Sequence, residues 1–390
     1  MIPKLFELCA SLGLLIIVIH GHPLIDEIQN MANKNLLING IFKPVKLMEL
    51  FAHGCLYEGE TKGGKRVVMK FIAEKYIHLA VHEYEIYSYL DAIKTNVEQY
   101  GIPNIYYFDR YNDDYLLLVT SHFECSLVKK LKDFQIQPLD CLIIFRDFVR
   151  QSKYMHSRRV RYDDMRPEKI VLNKHRSFLI DFEYSAKMGD KTERKGANDF
   201  LPRSYYEKHE RTALDDWESF LYVMCKVYKV NLMWFNKNLN PKLSEDELDQ
   251  MYGDWKNDTA NTIECIKAGI TCRYLKEVFV EFAKQAFKKD RSPAKYDELD
   301  TLIMKNIKIV GKEEKNRPAI FTWLSEVDRD VAIPDLWLNH VAEASKIIFK
   351  EPFKHEDVEY SYFYDRKERL RMSVTRSDAF LSNRHAADSD

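Results

Sequence analysis

The hydrophobic period of this chain changes once. From Val45 to Thr120 the apolar residues fall in short β-branched or aliphatic runs, "RVVMKFI" and "YLLLVT", separated by turns such as "KGGK", which is the pattern of strands. One amphipathic stretch, around Leu79 to Ile93, interrupts them. From Leu127 onward "PLDCLIIFRDFVRQSKYMH", "DDWESFLYVMCKVY" and "YLKEVFVEFAKQAF" carry apolar residues at helical spacing. Strands first and helices afterwards predict an α+β fold with two lobes, a small β-rich one followed by a larger helical one. At 390 residues, 46% of them hydrophobic and 13% aromatic, the chain can supply cores of that size. Acids and bases nearly cancel, 60 against 59, so no global field draws in nucleic acid or an anionic membrane.

The two ends read differently from the middle. "MIPKLFELCASLGLLIIVIHGHPL" has an early Lys4, an apolar run from Leu8 to Ile19 and then Gly21. That run is short for a bilayer span and predicts a signal peptide over residues 1–21, with an uncleaved signal anchor as the alternative. The chain is therefore expected in the secretory pathway or outside the cell, with no stable membrane insertion. Of seven cysteines, Cys9 lies in the leader. Cys265 and Cys272 are close enough in sequence to predict a local disulfide, and Cys225, inside "FLYVMCKV", reads as a packed core thiol. Asn257 opens an Asn-x-Thr sequon usable in that compartment. At the other end the charged "GKEEKNRP", Gly311 to Pro318, marks the exit into an extension over residues 313–390. One helix is predicted there, over "PDLWLNHVAEASKIIFKE", followed by a mobile polar end.

The stretch "YDDMRPEKIVLNKHRSFLIDFEYSAK", Tyr162 to Lys187, sets two acids in turn-like contexts on either side of a pair of β-rich runs. Before it come a strand ending "VVMK" and a helix carrying "HEYEIYSYL", and after it the helix "LDDWESFLYVM". In this order the segments resemble the protein-kinase signatures. "HEYEIYSYL", "GIPNIYYF", "TALDDWESFLYVM" and "KDRSPAKYDELDTLI" are similar to segments of the casein-kinase-one group. The resemblance runs over residues 45–312, with lobes of about 45–122 and 123–312.

A kinase holds phosphates, metal and hydroxyl in line while neutralising charge. The resemblance implies that Lys70 pairs with nucleotide phosphates and that Glu83 orients Lys70. Asp164 becomes the acceptor of the substrate hydroxyl proton, Arg166 its neighbour at the family's offset, and Asp181 the magnesium ligand. Asp216 becomes the buried brace of the loop. The departures matter as much. Glu49 and Phe51 stand where two glycines of the phosphate loop are expected, leaving Gly54 alone. Lys169 replaces the asparagine of the second metal, and an ammonium cannot ligate a cation although it can contact phosphate. Glu183 replaces a glycine and adds a carboxylate that can recruit metal. Tyr162 and Asp163 displace the histidine and arginine before Asp164, which removes the clamp for a phosphorylated loop. Gly196 keeps a family glycine, whereas Asp199 takes the place of a phosphate-reading arginine. The expectation is a secreted, divergent kinase that binds ATP with a single magnesium ion and transfers phosphate weakly to protein serine or threonine. The alternative is a pseudokinase that engages a protein partner as a binding module.

Overall fold

The computed structural model describes residues 23–133, 136–173, 176–190, 197–235, 243–288, 294–313, 358–365 and 369–376. The expected signal peptide, the helix expected near residues 334–351 and Gly196 lie outside them. The chain divides into two units, residues 1–331 and 332–390.

In the first unit, helix α1 (Pro23–Asn33) leads into strands β1 (Phe42–Phe51), β2 (Gly54–Thr61) and β3 (Arg66–Ala73). Helix α2 (Ile77–Tyr89) and strands β4 (Ile105–Arg110) and β5 (Tyr115–Ser121) follow. The five strands form one antiparallel sheet in the order β1-β2-β3-β5-β4. Alternation in β3 buries Val67, Met69 and Phe71 against Tyr57, Leu117 and Val119. The same period of two turns Lys70 to the opposite face. As an edge strand β1 tolerates Pro44, which has no N–H to give to a ladder. Leu24 and Ile28 of α1, with Ile38 and Phe42, belong to the same core as the sheet.

The helical lobe opens with β6 (Cys125–Ser126) and α3 (Leu127–Asp133), then the 20-residue α4 (Pro138–Ser157). Pro138 sits at the first helical position, and Gln137 and Asp140 close a capping box around it. Leu142, Ile143, Ile144 and Phe145 are consecutive and fully buried, so the first half of α4 runs through the core, while Arg150 and Lys153 of its second half reach the surface. Short strands β7 (Val160–Arg161), β8 (Ile170–Leu172), β9 (Ser177–Leu179) and β10 (Ala186–Lys187) come next. β6, β8 and β9 form one small sheet, and β7 pairs with β10. Helices α5 (Arg203–Tyr206), α6 (Ala213–Val227), α7 (Glu245–Asn257), α8 (Thr259–Gly269), α9 (Arg273–Ala286) and α10 (Tyr296–Glu313) complete the lobe. Phe148 of α4 stacks on Phe220 of α6 with centroids 3.8 Å apart, and Trp217 stacks on Phe282 of α9 at 4.6 Å. Each such pair contributes about 0.5–1.5 kcal/mol beyond its buried area.

Cys225 is a fully buried thiol, as expected. The expected Cys265–Cys272 disulfide is not formed, and both are free. Cys265 lies within α8 with its Sγ 3.9 Å from Asn261 Oδ1, and Cys272 caps α9, so the interval between them is mostly helix and not a closing loop. In the second unit β11 (Val358–Asp365) pairs antiparallel with β12 (Arg369–Arg376). Among the described residues no helix is long and apolar enough to cross a membrane.

Candidate nucleotide site

Lys70, on the inner face of β3, is the hub of a buried ion cluster. Its Nζ lies 2.8 Å from Glu83 Oε2, 2.9 Å from Asp181 Oδ1 and 3.0 Å from Glu183 Oε2. Glu83 sits on the buried stripe of α2 beside Ala80, Ile86 and Tyr87, where helical spacing alone calls for an apolar residue. Its second oxygen, Oε1, accepts from the backbone N–H of Phe182 at 3.1 Å. Burial works against the Lys70 ammonium, but Asp181, Glu83 and Glu183 outweigh it and hold its pKa well above the ordinary lysine value. Burial pushes the Glu83 carboxyl up to about 7 despite the pull of Lys70, which it shares with two other carboxylates.

Asp181 follows β9 with φ of 65°, a left-handed conformation that aspartate tolerates better than most residues. Phe182 fixes the turn, packing on Tyr87 and Tyr162 with centroids 5.0 and 5.1 Å away. Asp181 is held by two ammonium groups, Lys70 at Oδ1 and Lys169 at Oδ2, the latter 2.8 Å away. Burial alone would raise its pKa, yet those two lysines hold it well below the usual carboxylate range.

Asp164 lies on the loop between β7 and β8 and is 2% exposed. Its Oδ2 accepts from Lys169 at 2.5 Å and Arg166 at 2.8 Å. Its Oδ1 is buried with no hydrogen-bond partner among the described residues. The loop is braced from α6, where Asp216 accepts from the N–H groups of Tyr162 at 2.9 Å and Asp163 at 3.1 Å. His156 Nε2 lies 2.9 Å from the same carboxylate and its Nδ1 2.6 Å from Tyr296 Oη. Asp216 is thus a positioning residue, as its sequence position implied.

Solved structures share this architecture. A structure of vaccinia related kinase 3 matches with a TM-score of 0.56 at 14% identity, over 75% of this chain and 97% of that one. A Plasmodium kinase domain matches with a TM-score of 0.51 at 15% identity, over 68% and 95%. The fold is that of a protein kinase. No family model and no curated protein matches the sequence.

Within that kinase fold every site residue named from sequence except Gly54 joins one cluster: Lys70, Glu83, Asp164, Arg166, Lys169, Asp181 and Glu183. Gly54 instead opens β2 against β3, where an added Cβ would come 1.8 Å from the Phe71 carbonyl oxygen. Sheet packing is sufficient reason for a glycine there. Glu49 is exposed, while the Phe51 ring centroid lies 5.7 Å from Lys70 Nζ. The β1–β2 hairpin therefore lays an aromatic ring beside the ammonium, where kinases approach phosphate with backbone. Asp163 carries a charge opposite to the kinase arginine at its place, and the structure supplies two cations for it. Arg161 Nη2 and Arg211 Nη2 each lie 3.2 Å from its carboxylate. Asp199 is likewise engaged, 3.3 Å from Lys226 Nζ.

Oxygens of Glu83, Asp181 and Glu183 converge within 4.8 Å, a donor set of the kind a divalent ion takes. Glu83 is pinned on both oxygens by Lys70 and the Phe182 N–H, and Asp181 by Lys70 and Lys169, so an ion held by Asp181 and Glu183 has to take the place of lysine contacts. Lys169, whose ammonium offers no lone pair, is not a ligand for a cation. Sequence reasoning missed Tyr184, whose ring lies 5.4 Å from Lys169 Nζ, and the Arg161–Asp163–Arg211 group. Nothing in spacing marks either, because each is assembled from local turns and distant chain.

Proposed function

We propose that the protein is a divergent, secreted kinase of the casein-kinase-one type that binds ATP and transfers its terminal phosphate slowly to protein serine or threonine. The observation that carries this reading is the 2.8 Å Lys70–Glu83 pair next to Asp181, with Asp164 braced by Asp216. These groups are held in register by both lobes, which is the positioning that phosphoryl transfer demands.

In this reading Lys70, Lys169 and Arg166 turn their cationic groups to the phosphates. Asp181 and Glu183 would hold one magnesium ion, which when bound neutralises charge on the phosphates. In the same reading Asp164 takes the proton of the acceptor hydroxyl at Oδ1, which is buried and without a hydrogen-bond partner among the described residues, while Lys169 and Arg166 hold Oδ2. Attenuation follows from two features, Phe51 beside Lys70 and the ammonium of Lys169 at the second-ion place. A pseudokinase acting as a binding module is the second reading, favoured by the same Phe51 and by the absence of bare cationic groups, since each lysine of the cluster is already paired. The leader over residues 1–21 supports secretion.

Thermal melting with ATP tests the binding. A ligand that binds only the folded state raises stability by mass action, about 2.7 kcal/mol at a hundredfold excess over its dissociation constant. ATP with magnesium should raise the melting temperature of the wild type and leave Lys70→Met unmoved. A wild type that does not respond at millimolar ATP selects the binding module.

A further inference from the structure

The contacts of Lys169 are those a bridging cation would make. Its side chain is 5% exposed, with Nζ 2.5 Å from Asp164 Oδ2 and 2.8 Å from Asp181 Oδ2. An ammonium carries three N–H donors. Two are spent on these carboxylates, and the third has the Asp181 carbonyl oxygen at 3.5 Å, beyond an ordinary N–H···O bond. The other oxygen of Asp181 is covered in the same way by Lys70 at 2.9 Å, and Glu183 also rests on Lys70. With a neutral residue at 169, Asp164 would keep only Arg166 and Asp181 only Lys70, and the facing Oδ2 atoms of the two would share no cation unless a divalent ion bridged them. Here the chain supplies the bridge.

We propose that Lys169 is a built-in counter-cation, and that the site takes a nucleoside triphosphate without a divalent ion. The ion then serves transfer and not binding. Glu183 completes the arrangement. Its carboxylate offsets the positive charge added by Lys169, so the pair of departures changes where charge sits with little change in how much there is. The inference rests on the reading of this cluster as a nucleotide site and goes beyond it in the ionic form of the ligand.

Calorimetric titration with ATP in EDTA and in excess magnesium separates the possibilities. Wild type should bind with dissociation constants that agree within about threefold between the two buffers. Lys169→Asn should weaken binding about tenfold or more in EDTA, the worth of one charged hydrogen bond, and recover in magnesium. Lys169→Arg keeps the charge and should behave as wild type. Binding by wild type in magnesium but not in EDTA overturns the inference and leaves the nucleotide reading standing. Equal binding of wild type and Lys169→Asn in EDTA also overturns it. Binding in neither buffer removes the nucleotide reading and this inference together. If Lys169→Asn does not fold, the wild-type comparison and Lys169→Arg still decide.

Discussion

At the scale of single residues the cluster shows how charge substitutes for charge, and Lys256 of α7 shows a different solution. It is fully buried, and its Nζ donates to the carbonyls of Asn198 at 2.6 Å and Leu201 at 2.5 Å. The rings of Tyr222, Tyr206, Trp234 and Tyr252 surround it at 4.8, 5.2, 5.3 and 5.6 Å. Burial lowers its pKa from 10.5 to about 7, with Glu218 and Asp199 opposing the shift. Between those two values the unfolded chain binds a proton that the folded chain does not, so the Lys256 contribution to stability rises with pH. The slope is on the order of 1.4 kcal/mol per pH unit. Denaturant unfolding of wild type and Lys256→Met at pH 7 and 9 measures it as the difference between the two proteins. Equal slopes would show that the carbonyls and rings keep the ammonium charged. No sequence pattern marks this site, because its rings come from separate elements.

At the scale of elements, what the sequence made legible is what has a long period. α4, α6 and α9 each carry apolar residues at helical spacing through several turns, and β3 and β5 are strongly β-branched or aliphatic. Lys70 and Glu83 are named from the order of the kinase-like segments and not from periodicity, since helical spacing alone calls for an apolar residue at Glu83. α1 was missed because its apolar residues, Leu24, Ile25 and Ile28, adjoin the apolar leader and carry no separate boundary. β7 and β10 have two residues each, too few for any period, although their pairing joins the start of the Asp164 loop to the chain after Asp181. β11 and β12 escaped notice because the acids of β11 and the arginines of β12 gave the stretch a polar reading, although Tyr360, Tyr362 and Tyr364 carry an alternation. Gly54 is ambiguous for another reason. A glycine required by the close approach of the Phe71 carbonyl and a glycine required by phosphate look identical in sequence.

At the scale of the molecule, the first unit has one large core in the helical lobe and a separate one around the sheet, and the ion cluster draws on both. Lys70 and Glu83 come from β3 and α2, whereas Asp164, Lys169, Asp181 and Glu183 come from the loops around β8 and β9. The cluster therefore doubles as a tie between lobes. The proposed export belongs to this scale too. Protein recovered from the medium of secreting cells should begin near residue 22 and carry glycan on Asn257, which is exposed at the end of α7. Intact mass spectrometry reads both, and an intact Met1 form found only inside cells contradicts it.

The proposed work of this cluster is to move phosphate. Transfer of label from γ-labelled ATP to a serine- and threonine-containing protein substrate, measured on wild type and Asp164→Asn side by side, tests it most directly. Removing the proton acceptor should cost about a hundredfold or more in rate, while the nucleotide-induced rise in melting temperature persists. Slow transfer by wild type that disappears in Asp164→Asn is the result predicted. Equal label on the two proteins, or none on either with nucleotide demonstrably bound, contradicts it and leaves a kinase fold without kinase chemistry.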